Sequence, residues 1–131
     1  MTRREIRPAS VPQPVAEYAM GVEVAGGRTL YIAGQVPLDA DGNLVGAGDF
    51  KAQARQVLRN VQAIVEEAGG SISDIVKMTT FLTDMADYAD FKAVRSEFLK
   101  PPYPAATLVE VSALVRAEWL LEVEAIAVIG E

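Results

Sequence analysis

The apolar positions of this chain change period along its length. Phe50, Ala54, Val57, Leu58, Val61, Ile64, Val65 and Ala68 recur at i, i+3, i+4 and i+7, the spacing that gathers side chains on one face of an α-helix. Asp49 stands at the position of an N-cap and Gly69 just past the end, so the spacing predicts a helix over about residues 50–68. A second helix is expected at about Asp87 to Leu99, with Phe91, Val94, Phe98 and Leu99 as apolar positions and Pro101-Pro102 as its stop.

The remaining apolar runs read as strands: about Gly21 to Val24, Thr29 to Gln35, Ile75 to Leu82, and a last pair, Thr107 to Val111 and Leu120 to Ile129, expected to form an antiparallel unit. Gly26-Gly27 between the first two runs supplies the positive φ of a tight hairpin. Residues 1–15, with Pro8, Pro12 and Pro14, read as an extended arm. The order ββαβαββ predicts an α+β fold in which one mixed sheet carries two helices on one face. At 131 residues the chain suits a single domain, residues 1–131, large enough to bury a core.

Two helices cover only one face of such a sheet. Regular alternation would place Leu30, Ile32, Val109, Val111, Val123, Ala125 and Ala127 under the helices. The opposite set then mixes Tyr31, Phe81, Leu108, Ile126 and Val128 with Lys77, Glu110, Glu122 and Glu124. Large apolar side chains on an uncovered face imply burial against further copies of the chain.

Charge and composition narrow the chemistry. A net charge of −6, with no basic run beyond Arg3-Arg4, disfavours nucleic-acid binding. The chain has neither cysteine nor histidine, which removes disulfides, thiolate nucleophiles, Ser-His pairs and ordinary zinc sites. No apolar leader or stretch of about 18 apolar residues is present, so no membrane association is expected and the cytoplasm is the default compartment. Asp39-Ala40-Asp41-Gly42-Asn43 resembles a calcium loop only superficially: Leu44 stands where that loop needs glycine and Phe50 where it needs glutamate. A turn is expected there. Gly46-Ala47-Gly48 precedes the first helix, but Asp49 beside it would repel an anion, and loop geometry explains the pair better.

Tyr103-Pro104-Ala105-Ala106-Thr107-Leu108-Val109-Glu110-Val111, Glu122-Val123-Glu124-Ala125-Ile126-Ala127, Gly34-Gln35-Val36-Pro37 and Tyr18 together resemble the RidA/YjgF family of enamine and imine deaminases over nearly the whole chain. The resemblance implies a homotrimer of chorismate-mutase-like fold with small-molecule sites in the clefts between subunits, and no cofactor or metal. It implies that Glu122 places the hydrolytic water and that Tyr18, Ala33, Gly34, Ala106 and Leu108 line the substrate site. The bland alternative for Glu122 and Glu124 is contact with solvent or with a neighbour's Lys77. Two positions depart from the family pattern: Ala33 replaces a frequent serine, and Ala106 replaces the arginine that grips a substrate carboxylate. Alanine offers nothing in place of that guanidinium fork, so a carboxylated substrate such as 2-aminoacrylate is expected to bind poorly. Arg116 is a conceivable substitute, though its position reads as a solvated loop.

Three functions follow. The favoured one is an imine or enamine hydrolase whose substrate lacks the carboxylate or presents it elsewhere. The second is a non-catalytic trimer that binds a metabolite or partner in the same clefts. The third, an endoribonuclease or translation inhibitor, is disfavoured by the acidic balance and the absence of histidine.

Overall fold

A computed structural model describes residues 1–131. The elements run β1 (Thr2–Ile6), β2 (Gly21–Ala25), β3 (Arg28–Gln35), α1 (Phe50–Glu67), β4 (Ile75–Leu82), α2 (Tyr88–Phe98), β5 (Ala105–Glu110) and β6 (Leu121–Ile129). Both helices fall where the 3.6-residue period puts them. At the start of α1 the Asp49 carboxylate accepts from the Ala52 N–H at 3.1 Å, satisfying one of the helix's free donors. At its end Gly69 takes φ +91°, a conformation that other residues adopt only at a cost.

The main sheet has the order β3-β6-β4-β5, with β6 antiparallel to both neighbours and β5 parallel to β4. This corrects the expected antiparallel pairing of the last two strands: β4 lies between them. The 10 residues linking β5 to β6 make that crossing possible, whereas sequence adjacency suggested a hairpin. The Gly26-Gly27 hairpin is corrected as well. Both glycines have positive φ, but β2 pairs with β1 in a separate two-stranded ribbon while β3 pairs with β6. Within the expected extended arm, residues 2–6 therefore form a strand. The Arg3 guanidinium pins it by donating to the carbonyls of Ser73 (2.6 Å) and Ile75 (3.1 Å).

The core lies between the helices and one face of the main sheet. Phe50, Ala54, Val57, Leu58, Val61 and Val65 of α1, with Phe91 and Val94 of α2, pack on Ile32, Met78, Leu82, Leu121, Val123, Ala125 and Ala127. The expected inner set holds for β3 and β6 and fails for β5. In the parallel register Thr80 sits beside Leu108 and Phe81 beside Val109, and Thr80 is buried under the helices. Leu108 thus turns toward the core and Val109 toward the open face. Glu110 shares the side of Leu82, where its carboxylate accepts from the Met85 N–H at 2.7 Å, and Val111 lies beyond the end of the strand.

Gln53 is a polar residue wholly inside this core. Its amide donates to the carbonyls of Gly46 and Glu118 and accepts from the Leu120 N–H, all at 2.9–3.0 Å, so α1 holds both the loop before it and the lead into β6. Gln53→Leu would remove all three bonds and leave the Glu118 carbonyl and the Leu120 N–H without a partner, while the Gly46 carbonyl keeps the Asp49 N–H. The variant is expected to lose about 2–4 kcal/mol of unfolding free energy in a urea titration; a loss within about 0.5 kcal/mol would show that the clamp is dispensable.

Candidate functional site

The sheet divides the predicted site residues into two groups. On the open face, Val109 of β5, Phe81 of β4 and Glu122 of β6 form one cross-strand row, and Lys77, Ile126 and Tyr31 form another. Tyr31 on the edge strand β3 is 76% exposed, and Val109 on the opposite edge strand β5 is exposed as well, so this uncovered face mixes apolar side chains with the carboxylates of Glu122 and Glu124 on β6. Val128, expected on the same face, is buried with its Cγ1 close to Gly27. Lys77 donates to Thr107 Oγ1 at 2.8 Å and makes no ion pair with Glu122 or Glu124 in its own chain.

Glu122 is half-buried and Glu124 exposed, although they lie two residues apart on one strand face. The difference comes from β3. Its register against β6 slips between Ile32 and Gln35, a bulge that brings the backbone of Ala33 and Gly34 across the Glu122 side chain. A Cβ on Gly34 would collide with Glu122 Oε2 and stand 2.8 Å from Cδ. Glycine at 34 is therefore what lets the carboxylate lie flat against the chain. Ala33 is exposed next to it, its carbonyl accepting from the Gln35 side chain at 3.0 Å.

The second group lies on the helix side of the edge strand. Tyr18, Ala106 and Leu108 line a cavity of about 290 Å³ with Val15, Met85, Tyr88 and Arg95. Tyr18 is brought there because the segment before β2 runs beside the start of β5: Ala19 bridges Ala105, and its N–H donates to the Pro104 carbonyl at 2.9 Å. Ala106 and Leu108 reach the same cavity as alternate residues of β5. Glu122 and Ala106 thus face opposite sides of one protomer's sheet.

Arg116 takes no part in this cavity. It is exposed in the loop between β5 and β6, with Cζ 5.8 Å from the centre of the Trp119 ring. The Asp39 loop is a turn closed on itself, Asp39 Oδ1 accepting from the N–H groups of Asp41 and Asn43. Gly46 and Gly48 each take positive φ, the loop geometry expected of them.

The residue that the sequence reading missed is Arg95. It lies one turn beyond Phe91 and one residue beyond Val94, inside the apolar stripe of α2, and is only 4% exposed. A charge within an apolar stripe was the available signal. Burial pushes its guanidinium below the usual arginine range, against the opposing influence of the Tyr88, Glu17, Tyr18 and Tyr103 side chains.

Comparison with known proteins adds a lineage to this geometry. The family model described as Endoribonuclease L-PSP matches residues 8–129. A RutC family protein of Pyrococcus abyssi is 39% identical over 127 residues, 97% of this chain and 98% of that protein. Among solved structures, the Rid family protein YyfB from Yersinia pestis superposes with a TM-score of 0.89 at 37% identity, covering 98% of this chain and 100% of its own. RidA from an Antarctic Psychrobacter superposes with a TM-score of 0.73 at 39% identity, covering 96% and 99%.

The contact between Gly34 and Glu122 has a direct test. Because the clash involves the free end of a flexible side chain, Gly34→Ala is expected to fold with a stability cost below about 1.5 kcal/mol while swinging the carboxylate to a different rotamer. A crystal structure of the variant with Glu122 unmoved would contradict this account.

Proposed function

The chain belongs to the RidA/YjgF family, the group described as Endoribonuclease L-PSP, and on that premise we propose that it hydrolyses a small imine or enamine in clefts between the subunits of a homotrimer. One observation carries the reading: Glu122, a half-buried carboxylate with no partner in its own chain, held against the bare backbone of Gly34 on the uncovered sheet face beside Phe81. A carboxylate so placed is free to accept a proton from water. Water adds to the imine carbon as Glu122 takes one of its protons and passes it to nitrogen, giving a carbinolamine; Glu122 then takes the remaining hydroxyl proton and delivers it to the same nitrogen as the C–N bond breaks, releasing ammonia and a carbonyl compound. An enamine enters the same sequence after protonation at carbon.

Assembly follows from the same face. Tyr31, Phe81, Val109 and Ile126 offer apolar surface that a neighbouring copy would cover. Docking of the open face of one subunit beside the edge strand of the next would bring Glu122, Ala33 and Gly34 of one chain to Tyr18, Ala106 and Leu108 of another. The acidic balance and the absence of histidine support a small-molecule substrate over RNA.

Two measurements test this reading. Light scattering at micromolar concentration is expected to give about three times the 14.1 kDa chain mass; a monomer would remove the shared cleft. With imines generated in situ by an amine or amino-acid oxidase, Glu122→Gln should lower turnover on the order of 10²- to 10⁴-fold, with Glu124→Gln close to wild type. Equal turnover by Glu122→Gln and wild type would take Glu122 out of the chemistry, and no turnover by wild type would leave the binding-protein reading in its place.

A further inference from the structure

Arg95 is difficult to account for as a structural residue. Its Nε is buried without a hydrogen-bond partner, and the guanidinium enters none of the chain's salt bridges. The centre of the Phe91 ring lies 5.5 Å from Cζ, and the Tyr18 and Tyr88 rings line the same cavity. Glu17 stands nearby, but its carboxylate accepts from Ser96 Oγ at 2.6 Å. A guanidinium taken out of water in this way costs stability, and an apolar residue of similar size would normally serve the fold better. Buried polar groups without partners are uncommon, and one that opens onto a cavity is poised for something that arrives there.

We propose that Arg95 is the anion anchor of this cleft, gripping from α2 the carboxylate of a small, largely apolar monocarboxylate in the space that Ala106 leaves free. The proposal rests on reading the cleft as a small-molecule site. Arg95 and Ala106 line the same cavity of about 290 Å³, and alanine leaves room for a ligand group to approach from the strand side. The fork of a guanidinium matches the two oxygens of a carboxylate. Val15, Met85 and Leu108, with the Tyr18 and Tyr88 rings, suit an apolar tail. A phosphate is disfavoured, because a dianion would meet one cation with the Glu17 carboxylate close by. The weak carboxylate binding expected from the alanine at 106 is thereby reversed: the anchor has moved from the strand to the helix.

The assay is calorimetric titration of the intact protein with butyrate and 2-oxobutyrate, and with butyramide as the uncharged isostere. Wild type should bind both carboxylates and discriminate against butyramide. Arg95→Met should weaken carboxylate binding on the order of 30-fold or more while raising Tm in the absence of ligand, because an unpaired buried charge has been removed. A purely structural arginine would move Tm downward. Arg95→Lys keeps the charge and loses the fork, so its binding should be weaker than wild type; it decides the matter if Arg95→Met fails to fold. Failure of wild type to bind either carboxylate, or carboxylate affinity unchanged in both variants, would overturn the proposal. Either result is separable from the fate of the hydrolase reading, which is decided by Glu122→Gln turnover.

Discussion

Strand β6 carries a two-residue alternation through the middle of the sheet, and everything placed around it must respect that alternation. With β3 on one side and β4 on the other, its odd-numbered residues Val123, Ala125 and Ala127 must face α1, and Glu122, Glu124 and Ile126 must face away. A slip of one residue would bury two carboxylates beneath a helix, at a cost no domain of this size could offset. The register is therefore fixed by the carboxylates as firmly as by the valine and alanines.

This constraint separates the chemistry into two halves. The carboxylate half of the site grows from the uncovered face, where the β3 bulge and Gly34 shape a seat for Glu122. The binding half grows from the other face at the free edge, where β5, the segment around Tyr18 and helix α2 leave a cavity that ends on Arg95. In the proposed site neither half is complete alone in one protomer. The same sheet that keeps them apart presents both near surfaces a second copy would cover, so assembly and activity share one physical cause in this account.

Much of this was legible in the sequence. The period of 3.6 residues located both helices, Asp49 and Gly69 marked the ends of α1, and motif residues led to the family. The failures have local reasons. β1 reads Thr-Arg-Arg-Glu-Ile, without apolar alternation, because it is held by pairing with β2 and by Arg3 rather than by burial. Leu108 and Val109 are both apolar, so the phase of β5 is invisible until its register against Thr80 and Phe81 is known. Strand order depends on contacts far apart in sequence, which local pattern does not encode. Arg95 stands inside the apolar stripe of α2, but only the fold shows that its Nε is buried without a hydrogen-bond partner.

Assembly of each proposed site from two chains can be read out in mixed trimers. One parent chain would carry Glu122→Gln and the other Ala106→Trp, which fills the cavity; each parent alone should be inactive. In a closed ring of three with both kinds of chain, one cleft always joins an intact carboxylate half to an intact cavity half, so purified mixed trimers should recover about one third of wild-type imine hydrolysis. Mixed trimers as inactive as their parents would contradict the account, placing both groups in the work of a single chain.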